Sequence, residues 1–366
     1  MAIRSAEALM TSLLKTVATE VSFAKHPRVP AEWEPQECVW IAWPHNKETW
    51  PERFEPIPTF FAMWVKLIAE SSPVRVLANA ELARECGKLL GPQRQIELID
   101  VPTNDCWVRD YGPTFVLGDS GTHLSLVDWQ YNAWGGKYPP WDSDAAVCKR
   151  LGSEFRLPVA VSELVVEGGA LEFDGGGRLL TTPSCLLGKN RNPGVSKELV
   201  AQELHRLTGM TEVVWLDGGG LEGDDTDGHI DQLARFIDRE NVVVCVSNYP
   251  HDKQASGLHQ NWLQLKAWAE TTSPRPEVHQ LPAPATRRVN GQAVPQSYCN
   301  FLRLGSERLL VPQFHAPEDD YAAGLLRELS GADVTQVDCS DLVWGLGALH
   351  CASRDQPKLN TSEATA

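Results

Sequence analysis

A chain of 366 residues, 42 % of them hydrophobic, can bury a large core, enough for one sizeable domain or two ordinary ones. Acidic residues outnumber basic ones 48 to 33, a formal charge of −15, and no basic run stands out, which argues against a nucleic-acid partner. The same excess either draws in a small cation or simply keeps the protein soluble. Residues 1–26 interleave Arg4, Glu7, Lys15 and Glu20 with apolar side chains, so they offer neither a signal-peptide core nor a bilayer span. The nine cysteines are scattered and include no C-x-x-C pair, which fits neither a disulfide framework nor a zinc knuckle. A cytoplasmic protein with no membrane attachment is expected.

Residues 38–43 read as the first strand. Four hairpins follow: 113–129 turning at 118–121, 170–183 turning at 175–177, 232–247 turning at 239–241, and 298–314 turning at 305–307. The turns recur at roughly 60-residue intervals. Helical periods follow the later hairpins: 196–207 (Leu199, Val200, Leu204, Leu207), 258–269 (Leu258, Trp262, Leu265, Trp268) and 320–329 (Tyr321, Leu325, Leu326, Leu329). The last strand signal, 342–352, would join the first and complete a fifth unit. Strand–strand–helix units without linkers predict one closed, pseudo-symmetric α/β domain; an open α/β sheet with hairpin additions is the alternative. The expected boundaries are an N-terminal segment 1–28, a catalytic domain 29–354 and a polar, disordered tail 355–366.

Unusual composition falls at strand ends and turns, where a rigid scaffold presents functional groups. Residues 104–113 read NDCWVRDYGP and set Trp107, Arg109 and Asp110 beside a Gly-Pro turn. Residues 167–169 read EGG, 223–231 read GDDTDGHID and 345–351 read GLGALHC. Cys351 follows a Gly-x-Gly turn that lets backbone approach a ligand closely. A cysteine is a useful nucleophile only as thiolate, so it needs a nearby cation or base. Without that company it is one more buried apolar cysteine, like Cys245 in its valine run. In a strand beginning at Gly228, His229 and Asp231 would share a face, a general acid–base histidine beside a carboxylate. A solvated acidic loop and a metal site compete with that reading.

Calcium-loop spacing fails, because His229 stands where an oxygen ligand is required. The G-x-G-x-x-G match at Gly218, Gly220 and Gly223 runs into Asp224, Asp225 and Asp227, which would repel a pyrophosphate. A serine hydrolase lacks its G-x-S-x-G elbow, and a papain-like protease wants an early cysteine. A late cysteine, a histidine and many carboxylates without a metal-ligand set call for a cationic substrate. Guanidinium fits, being planar, always charged and matched to carboxylates in bidentate fashion.

These segments resemble the agmatine deiminase family, which includes bacterial-type peptidylarginine deiminases and belongs to a wider guanidine-modifying group. The likeness runs through WIAWPHNKETWP (40–51), NDCWVRDYGPTFV (104–116), YNAWGGKYPPWDSD (131–144), EGGALEFDGGGRLLTT (167–182), NRNPG (190–194), GDDTDGHIDQLARF (223–236) and, in part, GLGALHC (345–351). It implies a pentein-type five-bladed α/β propeller built of ββαβ units. It implies Cys351 as nucleophile, Asp110 and Asp231 holding the guanidinium nitrogens, Glu167 beside that group and His229, and His229 moving protons. Trp107 and Gly347 would line the pocket, and Asp225 would meet a distal amine. No metal or organic cofactor is implied, and a homodimer is. The implied reaction is hydrolysis of agmatine to N-carbamoylputrescine and ammonia through a thiouronium on cysteine, a step toward putrescine.

Peptidylarginine and free arginine are the other substrates, and a non-catalytic polyamine binder is the alternative of another class. The absence of a secretion signal disfavours the peptide. The α-carboxylate of arginine wants a basic partner, for which Arg109 is the candidate. One departure bears on the substrate. The family's turn reads close to GGGNIHC, whereas here Leu346 replaces the second glycine and Ala348 the asparagine. Asp217 stands where family members often carry a proline.

Overall fold

All four expected hairpins form, and after each the chain crosses over through a helix to add a parallel third strand. The computed structural model describes residues 23–360; the expected N-terminal segment lies outside the described residues up to residue 22, and the expected tail from residue 361. Thr114–Gly118 pairs antiparallel with His123–Gln130, which takes Val159–Val165 in parallel. Glu172–Phe173, Arg178–Thr181 and Glu212–Trp215 repeat the pattern. So do Ala234–Phe236, Asn241–Ser247 and Glu277–Ala283, and again Leu302–Leu304, Arg308–Gln313 and Asp333–Asp338.

The crossover helices are Val147–Glu154, Lys197–Thr208, Ala255–Thr271 and Asp319–Ser330. Lys197–Thr208 shows how sequence sets such a helix. Ser196 caps it by accepting from the Leu199 N–H at 3.3 Å, and Gly209 ends it in the left-handed region at φ 70°. Its buried face is Val200, Leu204 and Leu207. The first of the four helices was not expected, because Val147–Glu154 buries only Val147, Cys148, Leu151 and Gly152 over two turns.

A fifth unit joins the two ends of the chain. Gln36–Ala42 takes Val74–Leu77 in parallel, which takes Ile96–Ile99 in turn, and on its other side it pairs antiparallel with Ser353–Pro357. The last strand is therefore later than the apolar run 342–352 that was expected to form it. That run is a 3-10 turn, Leu342–Gly345, followed by a tight loop packed on Trp50 and Trp107. The true strand is polar because its buried side chains find partners: Gln356 accepts from Trp40 Nε1 at 3.0 Å, and Arg354 Nε donates to the Pro113 carbonyl at 2.9 Å. It runs across position 355, so the ordered domain does not stop at residue 354 as expected.

Altogether the described strands form six separate sheets: these five and a two-stranded ribbon, Arg287–Val289 with Gln292–Val294. No helix among the described residues is long and apolar enough to cross a membrane.

Candidate active site

Each unit is entered through a short turn just before its first strand, and the five turns meet. They are Val108–Tyr111, Gly168–Ala170, Ile230–Gln232, Tyr298–Asn300 and the loop 346–352. Hydrogen bonds tie neighbouring turns together. The Arg109 N–H donates to the Cys351 carbonyl at 3.2 Å, and the Gly169 N–H to Asp110 Oδ1 at 3.0 Å. Ser297 Oγ donates to the Gln232 carbonyl at 2.7 Å, and the His350 N–H to the Asn300 carbonyl at 3.2 Å. His229 and Asp231 do share one site, though not as strand neighbours: His229 precedes the 3-10 turn Ile230–Gln232, and the strand starts only at Ala234.

Cys351 lines a cavity of about 240 Å³. Trp107, Trp134 and Trp344 wall the cavity, and its lining carboxylates are Glu48, Asp105, Asp110 and Asp225. No lysine or arginine lines it among the described residues. Gly345 and Gly347 are required by close approach: a Cβ on Gly347 would lie 2.6 Å from the Trp107 ring, and one on Gly345 would lie 2.7 Å from the Trp50 indole. Between them Leu346 sits in the left-handed region at φ 68°, a conformation that costs a non-glycine residue about 1–2 kcal/mol.

At the sulfur, Asn300 Nδ2 donates at 3.1 Å and Asp231 Oδ2 lies at 3.6 Å. Asp231 Oδ2 also accepts from His350 Nδ1 at 2.8 Å, and His350 Nε2 pairs with Glu32 Oε1 at 2.7 Å. Asp110 Oδ2 accepts from Trp134 Nε1 at 2.9 Å. His229 Nδ1 lies 3.5 Å from Asp110 Oδ1, and its Nε2 lies 3.7 Å from Glu167 Oε2. Neither imidazole nitrogen makes a hydrogen bond, nor does Asp231 Oδ1, although all three are buried. An unmet buried carboxylate oxygen costs about 1–3 kcal/mol, so Asp231 Oδ1 is where a donor from a ligand would be accepted.

Glu167 does not line the cavity. It is fully buried behind His229, with Arg191 Nε donating to both its oxygens at 2.8 and 2.9 Å and Cys185 Sγ to Oε2 at 3.2 Å. Arg191 also donates to Asp227 at 2.7 Å and to the Thr226 carbonyl at 2.8 Å, which ties the acidic loop to the site floor. The other acids of that loop are satisfied too. Asp224 accepts from the Thr226 and Gly228 N–H groups, and Asp225 from Tyr138 Oη at 2.5 Å. Arg109, the candidate for an α-carboxylate, points away from the cavity and pairs with Glu32 and Asp355, each at 3.1 Å.

The electrostatics follow from burial and neighbours. Burial, reinforced by Asp231 and Glu167 and opposed by His229, pushes the Asp110 carboxyl up to about 6. Burial alone would lower the His229 imidazole, but Asp110, Cys185 and Glu167 hold it well above its ordinary value, protonated at neutral pH. Burial would raise Asp231, yet His350 and His229 keep it below the usual carboxylate range. Glu167 is likewise held low against burial, by His229 and Arg191. Burial, then Asp231 and Asp110, drive the Cys351 thiol well up, opposed by the Ala348 backbone N–H and then by the Asn300 side chain.

Among the described residues, two groups bring metal-binding atoms within 4.8 Å of one another: Glu167, Cys185 and His229; and Glu32, Glu172 and His350. Neither suits a cation, because the buried guanidinium of Arg191 is bonded to the first and that of Arg235 to the second.

The architecture is similar to that of the solved agmatine deiminase of Enterococcus faecalis, with a TM-score of 0.86 and 28 % identity, covering 93 % of this chain and 100 % of that one. It is also similar to the agmatine deiminase of C. jejuni solved with substrate bound, with a TM-score of 0.83 and 29 % identity over 91 % and 97 % of the two chains. The fold and the cysteine–histidine–carboxylate site thus define a hydrolase of the guanidine-modifying class. An agmatine deiminase of Stutzerimonas stutzeri is 32 % identical over 90 % of this chain and 95 % of its own length. Residues 28–357 match the Porphyromonas-type peptidyl-arginine deiminase family, and the chain belongs to it.

Asn300, Trp134, Arg191 and His350 are the site residues that sequence reasoning missed. Trp134 and Arg191 fall within stretches already singled out, and His350 adjoins the nucleophile. Asn300 gave no signal, since an asparagine before a strand reads as a turn residue.

Proposed function

We propose that the protein hydrolyses agmatine to N-carbamoylputrescine and ammonia, with Cys351 as the nucleophile. The observation that carries this reading is the acidic setting of the thiol: Asp231, whose Oδ1 is buried and unmet, lies beside the sulfur, and the charged residues lining the cavity are all carboxylates among the described residues. A guanidinium inserted there donates to Asp231 and Asp110, which fix its plane and keep it charged. Its approach also offsets the two carboxylates that hold the thiol protonated, so the thiolate forms when substrate is in place.

The Cys351 sulfur then bonds to the guanidinium carbon, and the C=N electron pair moves to nitrogen. Protonated His229 gives its proton to the departing amino group, ammonia leaves and an S-alkylthiouronium remains. The neutral imidazole next takes a proton from water as the oxygen attacks the same carbon. Cleavage of the C–S bond releases the thiolate, and the hydroxyl proton of the adduct passes to solvent as the ureido carbonyl forms. Glu167 is a positioning residue in this scheme, holding the imidazolium from behind with Arg191.

The lining of the cavity selects the substrate. Asp225, Glu48 and Asp105 offer negative charge, aromatic walls suit a cation-bearing alkyl chain, and no lysine or arginine among the described residues lines it to meet an α-carboxylate. A guanidine with an amine at its other end is therefore favoured over arginine or an arginyl peptide. The turn-to-turn hydrogen bonds support a five-bladed propeller with this site on its axis, and the product's chemistry supports a role in making putrescine. Incubating the protein with agmatine, arginine and an arginyl peptide and assaying ureido product tests the assignment. Agmatine alone should react at a useful rate; faster turnover of either other substrate overturns the choice.

A further inference from the structure

Asn300 stands 51 residues before the cysteine in sequence and touches its sulfur. Its amide is held from both ends. Oδ1 accepts from the His350 N–H at 3.1 Å and from the Cys351 N–H at 3.2 Å, while Nδ2 donates to Sγ at 3.1 Å. The two backbone donors fix the amide's orientation, because a flipped amide would set its NH2 against two N–H groups. The nitrogen that faces the sulfur can only donate. Asn300 is 2 % exposed, and its own turn is pinned by Ser297, whose Oγ accepts from the Cys299 N–H and donates to the Gln232 carbonyl.

The surroundings of the sulfur make that donor matter. Asp231 lies at 3.6 Å, and Asp110 faces the same space from another turn. The histidines nearby, His229 and His350, are engaged with those carboxylates rather than with the sulfur. Loop 346–352 brings no cation of its own to Sγ. Asn300 supplies the one side-chain N–H donated to the sulfur among the described residues.

We propose that Asn300 is a catalytic residue: its Nδ2–H stabilises the Cys351 thiolate and its Oδ1 holds the backbone that aims the sulfur into the cavity. The inference rests on Cys351 being the nucleophile. No proton leaves the amide. When the thiol ionises its proton passes to solvent through the cavity, and the N–H···S contact becomes a charge-assisted hydrogen bond that persists until the S–C bond forms. A hydrogen bond of that kind shifts a thiol's midpoint by about 1–2 pH units, hence the thiolate fraction at fixed pH by about 10–100-fold.

The test reads the free enzyme with iodoacetamide. Alkylation of Cys351 is followed by mass spectrometry at a fixed pH below its midpoint, with Cys351→Ala as the blank. Asn300→Asp keeps an acceptor for both backbone donors and replaces the sulfur-facing N–H with oxygen; Asn300→Ala removes both. Wild-type melting temperature for Asn300→Asp, with alkylation down at least about 10-fold and kcat/KM down more than KM rises, supports the proposal. Asn300→Ala, with no added charge, should lose alkylation by about 10–100-fold as well. Wild-type alkylation rates in both variants, with the fold intact, overturn it. If the alkylation loss appears but the protein turns over no guanidine, the functional reading fails, and with it the catalytic role, while Asn300 stands as the donor that stabilises the thiolate. If agmatine is turned over and alkylation is unmoved, Asn300 alone is misassigned.

Discussion

Adding one methyl group at Gly169 should disable the enzyme without unfolding it. The second glycine of EGG lies in a 3-10 turn with an ordinary negative-φ backbone, so alanine meets no conformational penalty there. Space is the obstacle. A Cβ at this position would lie 2.6 Å from His229 Nδ1, 2.7 Å from Asp110 Oδ1 and 3.2 Å from Asp231 Oδ2. To reach the shortest ordinary contact of 3.4 Å, the imidazole and the Asp110 carboxylate must retreat by about 0.8 and 0.7 Å. Asp110 is also tied to the Gly169 N–H, so it cannot withdraw without loosening that bond.

Overpacking of this size costs about 1–3 kcal/mol, well within the 5–15 kcal/mol that typically holds a domain together. Misplacing catalytic groups by close to 1 Å costs about 100-fold in rate, or about 2.7 kcal/mol of barrier. The expected result for Gly169→Ala is a folded protein, melting a few degrees below wild type by circular dichroism, with kcat/KM for agmatine down about 100-fold. A folded variant with kcat/KM within a few-fold of wild type would refute the claim that reaction occurs in the space over this residue.

The pH profile of kcat/KM should fall on the acid side with a midpoint near the value of about 6 for Asp110, because below it the carboxyl is neutral and no longer pairs with guanidinium. A flat profile down to pH 5 would contradict Asp110 as a binding carboxylate. Trp134→Phe keeps the aromatic wall but removes the N–H that bonds Asp110 at 2.9 Å, so the acid limb should move upward by about 1–2 pH units. An unmoved limb would show that the indole does not help ionise Asp110. Prolonged dialysis against a strong chelator should leave turnover unchanged; loss restored by a divalent ion would point to Glu167, Cys185 and His229 as its ligands and against attack by Cys351.

The hairpins were legible because their strands alternate around glycine-bearing turns, and three crossover helices because each keeps its apolar stripe for three turns or more. The last strand was not legible. Its sequence, SRDQP, is polar since Arg354 and Gln356 are satisfied by Pro113 and Trp40, partners far away in the chain. The sequence also placed His229 and Asp231 together for a mistaken reason. They converge at the entry to a 3-10 turn, His229 capping it and Asp231 within it, rather than along a strand. Arg109 sits beside Asp110 in the chain yet turns to the opposite side, where Glu32 and Asp355 neutralise it. Adjacency in sequence says little about which face of a one-turn helix a side chain takes.

Strained backbone gathers around the same cavity. Trp134 holds φ 54° and Leu346 holds φ 68°, and both line it. Neither is a residue that favours the left-handed region, so packing has to impose the conformation. At Trp134 the return is visible: the twist delivers the indole N–H to Asp110, and the next turn of chain brings Tyr138 to Asp225. At Leu346 a glycine would hold the same turn without strain. What leucine adds is an apolar side chain on the cavity wall that Cys351 and Trp344 also line. The turn thus holds Cys351 through Gly345, Gly347 and the Asn300 amide, and its leucine places an apolar side chain on the cavity lining.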